Sequence, residues 1–400
     1  MEDRVTCLLA LGGAGLAAWI ASAVVSRPRF AALATGRDVH LRDGSQPIGR
    51  GGGMAVAVPV MVAAIVCGWP EIFSGSSIGS LLLAALGVSF LVGLIDDLRP
   101  LGPLVKFIGQ CLAAGGLAIA VMWSGEGWAA VAVAVLLSLW SQNAWNFVDG
   151  TDGLMATAGI AVFAAGAALT WTSTGGQPEI VMLSGLVVAG LLGFLPWNIP
   201  SARLFLGDAG SLFVGGAYAI CTLMAFRTSP SLGWAWLVLA APIHADVLIC
   251  LARRVLRGCR WWEGHREHAY QHLVHRRGSH SAPLVVGGGL WLLVALPAAV
   301  WTLEVGWGAA VAGLTLCLLA AAAIGSGRPV IESEAGLPPA SEGAVLPTAL
   351  AEMDTRHANA PGLAMSRLGG VGRTRGELLV ETRVVDRGAG AALTSSSLRK

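Results

Sequence analysis

Apolar stretches long enough to cross a bilayer recur through this chain, separated by short polar connections. A membrane-crossing helix needs about 20 mostly apolar residues. In lipid every backbone N–H and C=O must be satisfied internally, which leaves helices or closed barrels. Eleven stretches qualify, at about 5–26, 53–70, 78–95, 103–123, 127–145, 154–173, 180–197, 210–226, 232–252, 284–302 and 306–325. The spacing predicts an all-α polytopic membrane protein of about 11 transmembrane helices. Composition agrees, with 55% hydrophobic and only 12% charged residues, where soluble domains carry about 25% charge. A net charge of +2 gives no basis for nucleic-acid binding. The first stretch is long for a signal peptide and is followed by Arg27 and Arg29, so an uncleaved first helix is expected.

Basic residues set the orientation. Connections after odd-numbered stretches hold Arg27, Arg29, Arg37, Arg42, Arg50, Arg99, Lys106 and Arg203. They also hold Arg253, Arg254, Arg257, Arg260, Arg266, Arg276 and Arg277, fifteen in all, against Arg4 and Arg227 on the other side. The positive-inside rule then predicts the N-terminus outside and the polar loops in the cytoplasm. Residues 1–326 read as one transmembrane domain. Residues 327–400, rich in Gly, Ala, Ser and Pro, read as a disordered cytoplasmic tail. The seven cysteines show no Cys-x-x-Cys spacing and read as small buried apolar residues.

Four polar clusters fall at the cytoplasmic ends of the stretches. Asp96-Asp97, followed by Arg99 and Lys106, reads either as a solvated turn or as metal or general-base chemistry, because adjacent carboxylates repel unless a cation compensates. Asn143, Asn146 and Asp149 are spaced to share a helix face, and Asp152 follows between Gly150 and Gly153. Capping needs one such residue, not four. Asn198 precedes the run Arg203-Leu204-Phe205-Leu206-Gly207-Asp208-Ala209-Gly210-Ser211, where Asp208 reads as a helix cap or a ligand. The fourth cluster holds His265, Arg266 and His268. Zinc there would need two further N or S ligands, with His272 and Cys259 the nearby candidates, and the flanking arginines favour an anion. The segment from Arg37 to Gly53 lacks the Gly-Lys-Ser/Thr of a P-loop, though its glycines could present backbone amides to a phosphate. Mg²⁺ takes one or two protein oxygens and completes its shell with water and phosphates, so the inventory suits phosphoryl transfer. The membrane setting suggests a lipid substrate.

Ile95-Asp96-Asp97, the run Asn143-x-x-Asn146-x-x-Asp149-Gly-x-Asp152-Gly-Leu and Phe205-Leu-Gly-Asp208-Ala-Gly-Ser resemble the polyprenyl-phosphate N-acetylhexosamine-1-phosphate transferases. The resemblance covers about residues 37–325. It implies transfer of a sugar-1-phosphate from a UDP-sugar to undecaprenyl phosphate, with release of UMP and Mg²⁺ as cofactor (Mn²⁺ as a substitute), in the bacterial inner membrane. It allows a homodimer. Carried onto this chain, it makes Asn146 and Asp208 the metal contacts and Asp96 and Asp97 the catalytic carboxylates. It sets Lys106, Asn143, Asp149, Asp152, Asn198, His265, Arg266 and His268 around the substrates. The His-Arg-Glu-His-Ala-Tyr-Gln loop departs from the triple histidine of the muramoyl-pentapeptide branch and looks more like enzymes that initiate O-antigen or other surface polysaccharides. Pro100 stands where the family pattern has a further acid. Direct attack by the lipid phosphate and a covalent aspartyl intermediate both remain open, as does the sugar. Two other classes fit the residues less well. A transporter would show mid-span ionisable residues and internal repeats, and here only His244 and Asp246 lie well inside a stretch. A CDP-alcohol phosphatidyltransferase needs Asp-Gly-x-x-Ala-Arg, which Asp149-Gly150-Thr151-Asp152-Gly153 does not fit.

Overall fold

The structure, a computed structural model, describes residues 2–27, 48–69, 76–260, 262, 265–279 and 281–326. The expected tail, most of the segment from Arg37 to Gly53, and Trp261, Glu263 and Gly264 lie outside the described residues. In chain order the first helices are α1 (Glu2–Val25), α2 (Gly52–Val66), α3 (Ser76–Leu98), α4 (Pro103–Trp123), α5 (Trp128–Phe147), α6 (Leu154–Thr174) and α7 (Pro178–Phe194). There follow α8 (Gly207–Thr228), α9 (Pro230–Leu239), α10 (Ala241–Leu256), α11 (Ala269–Arg277), α12 (Ser281–Leu290), α13 (Leu296–Val305) and α14 (Trp307–Ile324). A π-helical turn, Trp291–Ala295, joins α12 to α13. Among the described residues the only β-type pairing is an isolated parallel bridge between Gly49 and Leu204.

Nine helices among the described residues are long and apolar enough to cross a membrane, counting Ser281–Val305 as one, or ten if the bent pair α9 and α10 is one span. The expectation of eleven therefore departs from the structure at two places. The stretch at 232–252 is broken by a 66° bend, where Pro242 in the first turn of α10 has no N–H to give. The stretch at 53–70 becomes the 15-residue α2, ended by Gly68 at φ +65°, which no helix interior accepts.

Helix α8 is the central post. Its apolar window is 89% buried, whereas no other helix of spanning length exceeds 50%. Without a hydrophobic drive between helices in lipid, close packing depends on small residues. A Cβ at Gly53 would run into the backbone of Gly210, and one at Gly93 into the backbone of Asp208. A Cβ at Gly215 would come within 2.7 Å of Gln142 Cα. The glycines thus draw α2, α3 and α5 against α8. Because α3, α5 and α7 end where α4, α6 and α8 begin, their polar terminal residues collect at one end of the bundle.

Candidate active site

Three backbone N–H groups at the start of α8 have no partner within the helix, and two carboxylates from other elements take them. Asp149 Oδ2 accepts from Gly207 N at 2.8 Å. Asp97 Oδ1 and Oδ2 accept from Asp208 N and Ala209 N, each at 2.9 Å. Gly207 sits at φ +72°, and a Cβ there would come within 2.7 Å of an Asp97 carboxylate oxygen. Only glycine fits this approach. Asp97 is 3% exposed, so the sequence pair divides: Asp97 holds the helix terminus while Asp96 pairs with Lys106.

Asp208 is thereby fixed with its side chain free for other partners. Its Oδ1 accepts from Asn146 Nδ2 at 2.9 Å, and its Oδ2 pairs with the Lys106 ammonium. Lys106 also reaches Asp96 Oδ2 at 3.3 Å, while Asp96 Oδ1 accepts from Leu101 N at 2.6 Å. The side chains of Lys106, Asp96 and Asp208 are 20%, 17% and 16% exposed. Asp96 and Asp208 thus flank one positive charge, with Asn146 bound to the far oxygen of Asp208, at a helix N-terminus whose dipole also favours anions. Asn146 gives a second bond to Ser211 Oγ at 2.9 Å. Asn143 does not point to this cluster. It exchanges hydrogen bonds with Gln110, a residue that sequence reading missed because a glutamine inside an apolar stretch carries no motif.

The loop between α5 and α6 is clamped from beneath. Asn198 Oδ1 accepts from Gly153 N at 2.9 Å, and its Nδ2 donates to Leu204 O at 2.9 Å. Asp152 is buried in that loop. Burial, with the negative charges of Asp208 and Asp97 adding to it, pushes Asp149 well above the ordinary carboxylate range despite the Gly207 N–H. The glycines Gly52 and Gly53 do not offer free amides to a phosphate. Their N–H groups bond Phe205 O at 3.0 Å and Leu206 O at 2.6 Å, lacing the segment to the Asp208 loop.

The histidine loop lies beside the end of α5. Phe147 packs against His265 and His268, with ring centroids 5.7 and 5.3 Å apart, and Tyr270 Oη donates to Phe147 O at 3.0 Å. Asp246 accepts from Ala269 N at 2.6 Å, which seats α11 on α10. Arg254 and Arg257 both pair with Glu267. Burial acts to raise the Glu267 pKa, but the Arg257 hydrogen bond and the two guanidinium charges outweigh it and hold it below the ordinary value. Arg266 is exposed. Val148 and Tyr270 also form one end of a cavity of about 380 Å³, lined further by Leu154, Leu239, Leu284 and Trp291.

Membrane-crossing helices that gather acids, amides and a lysine at one shared end, beside an apolar cavity, define a polytopic membrane protein with a polar site at one face. Residues 79–226 match the family described as glycosyl transferase family 4. A Bacillus subtilis protein named "Probable undecaprenyl-phosphate N-acetylglucosaminyl 1-phosphate transferase" is 30% identical over 226 residues, covering 52% of this chain and 60% of its own. The decaprenyl-phosphate N-acetylglucosaminephosphotransferase of Mycolicibacterium smegmatis is 35% identical over 217 residues, covering 47% of this chain and 52% of its own. The phospho-N-acetylmuramoyl-pentapeptide-transferase of Halalkalibacterium halodurans is 31% identical over 197 residues, or 44% and 60%. The chain thus spans between 52% and 60% of the length of these relatives.

Proposed function

We propose that the protein moves an N-acetylhexosamine-1-phosphate from a UDP-sugar to undecaprenyl phosphate at the cytoplasmic face of the bacterial inner membrane, releasing UMP. The observation that carries this is the convergence of Asp96 and Asp208 on the Lys106 ammonium, with Asn146 bound to Asp208, at a membrane-helix end beside an apolar cavity. The names of the relatives, all polyprenyl-phosphate or pentapeptide sugar-phosphate transferases, support the reaction class.

A lysine held between two carboxylates marks a place that favours positive charge, and its oxygen donors suit Mg²⁺. Asp208 and Asn146 would hold that ion, which when bound would neutralise the diphosphate and polarise the β-phosphorus. Lys106 pairs the phosphate oxygens. The lipid phosphate oxygen attacks the β-phosphorus, the new P–O bond forms as the bond to the α-phosphate oxygen breaks, and UMP leaves with that electron pair. Asp96 takes the proton if the lipid phosphate carries one. Asp97, with both oxygens on backbone amides, positions Asp208 and is a poor nucleophile, which favours direct transfer. The apolar cavity takes the first isoprene units. The histidine loop, lacking a triple histidine, supports initiation of O-antigen or another surface polysaccharide over the muramoyl-pentapeptide reaction.

Purified protein given undecaprenyl phosphate, Mg²⁺ and a panel of UDP-N-acetylhexosamines should release UMP with one of them. Asp208→Asn should abolish turnover while inserting and purifying normally. UMP release by that variant at ordinary Mg²⁺ would reject the metal assignment, and no release with any donor would reject the reaction.

A further inference from the structure

Cys250 of α10 and His265 and His268 of the following loop bring one sulfur and two ring nitrogens within 4.8 Å of one another. We propose that these three side chains form a zinc site, distinct from the oxygen cluster at Asp208. The zinc readings open to sequence, through Cys259 or His272, are replaced by Cys250, which sits fifteen residues before His265 inside an apolar stretch.

A second feature points to a ligand. His268 is 2% exposed, and apart from a loose capping contact from the Gln271 N–H its ring nitrogens have no hydrogen-bond partner. A buried imidazole without partners is costly. Its Nδ1 lies 3.6 Å from Asp246 Oδ1, just beyond hydrogen-bond distance, so a small shift would let the carboxylate take one ring N–H and leave the other nitrogen for a metal. Asp246 is itself anchored by the Ala269 N–H. Cys250 is 2% exposed, so the thiol is inside the fold and faces no solvent competitor.

The donor set selects the ion. One thiolate and two imidazoles suit Zn²⁺ and exclude Mg²⁺, which prefers oxygen. Tetrahedral zinc bonds of roughly 2.0–2.3 Å place neighbouring ligand atoms about 3.5 Å apart, so donors now within 4.8 Å of one another would draw closer on binding. Arg254 and Arg257 lie nearby, but both are paired with Glu267, which offsets their repulsion of a cation. Binding transfers the Sγ proton of Cys250 to solvent as the S–Zn bond forms, without redox change. Three protein ligands leave a fourth position for water or a substrate atom. The ion would pin the loop to α10 and leave exposed Arg266 to meet an anion. None of this depends on the proposed transferase activity.

The test uses the full-length protein in detergent, stripped by chelator and titrated with Co²⁺ and then Zn²⁺. One Co²⁺ per chain with visible bands of a tetrahedral ion and a near-ultraviolet thiolate charge-transfer band is expected, displaced by one Zn²⁺. Cys250→Ser should lose the charge-transfer band, and Asp246→Asn should weaken zinc binding by about 10–100-fold. Cys259→Ser should change neither, and elution and helicity should show that each variant is folded. Absence of the charge-transfer band in folded wild-type protein, its survival in Cys250→Ser, or its loss in Cys259→Ser would overturn the site.

Discussion

Asp96 and Asp97 are neighbours in sequence with different surroundings, and the difference is measurable. Asp97 accepts two backbone N–H groups and is buried. In Asp97→Asn one oxygen becomes an NH₂ facing an N–H, leaving a buried donor unpaired at a cost of about 1–3 kcal/mol. The unfolding midpoint and the rate of UMP release should fall together, because the start of α8 carries Asp208. Asp96→Asn keeps an acceptor for Leu101 N but loses the charge that faces Lys106. Turnover should drop with the midpoint nearly unchanged, and an Asp97→Asn protein as stable as the parent would remove the clamp. The grouping of acids and amides was legible from sequence, since polar residues at the ends of apolar stretches are expensive without a purpose. Which carboxylate meets an amide and which meets a lysine was not. That is set by how far α3 inserts against α8, which no local pattern encodes. Asn198 shows the same limit: it looked like a substrate contact, and it ties Gly153 to Leu204.

At the scale of helices, Gly93 and Gly87 lie on the same α3 with opposite surroundings. A Cβ at Gly93 would collide with the Asp208 carbonyl, whereas one at Gly87 meets nothing within 4 Å. Ala is favoured over Gly in a helix by about 1 kcal/mol, so Gly87→Ala should be neutral or stabilising. At Gly93 the backbone collision outweighs that gain, and Gly93→Ala should lower both the unfolding midpoint and UMP release. Equal behaviour of the two variants would contradict the α3–α8 approach. The break between α9 and α10 has its own lock. Trp140 Nε1 donates to His244 Nδ1 at 3.1 Å, and Tyr218 Oη lies 3.1 Å from His244 Nε2 while donating to Trp236 O. His244 and Asp246, the mid-stretch pair that a transporter reading would use, therefore join helices here: His244 binds α5 and α8, and Asp246 seats α11. His244→Phe leaves the Trp140 N–H without an acceptor and should destabilise by about 1–3 kcal/mol. Thermal unfolding in detergent reads this directly, and an unchanged midpoint would show that the network adds nothing.

Across the whole molecule, the positive-inside rule predicts one orientation, with the polar site on the inner face. The apolar stretches were legible because lipid demands length and low polarity. The bend in one and the shortness of α2 were not, because Pro242 and Gly68 act through backbone geometry inside otherwise apolar runs. The side opposite the site has little positive charge, and Arg227, one of its two basic residues, lies 3.2 Å from Glu126. An exposed pair of this kind adds about 0–1 kcal/mol to stability, and the lone arginine does not offset the fifteen basic residues of the other side. Cys259 follows α10 at the Arg-rich end and is exposed. As the sole cysteine, with the other six replaced by serine or alanine, it should react with a membrane-impermeant maleimide in inside-out vesicles and not in intact cells. A cysteine at Glu126 in the same background, between α4 and α5, should show the reverse. Labelling of both positions from one side would break the helix count that joins them. A clean reversal of the two would put the acids, Lys106 and the histidine loop on the outer face, away from any cytoplasmic nucleotide-sugar, and so would remove the proposed reaction together with the orientation.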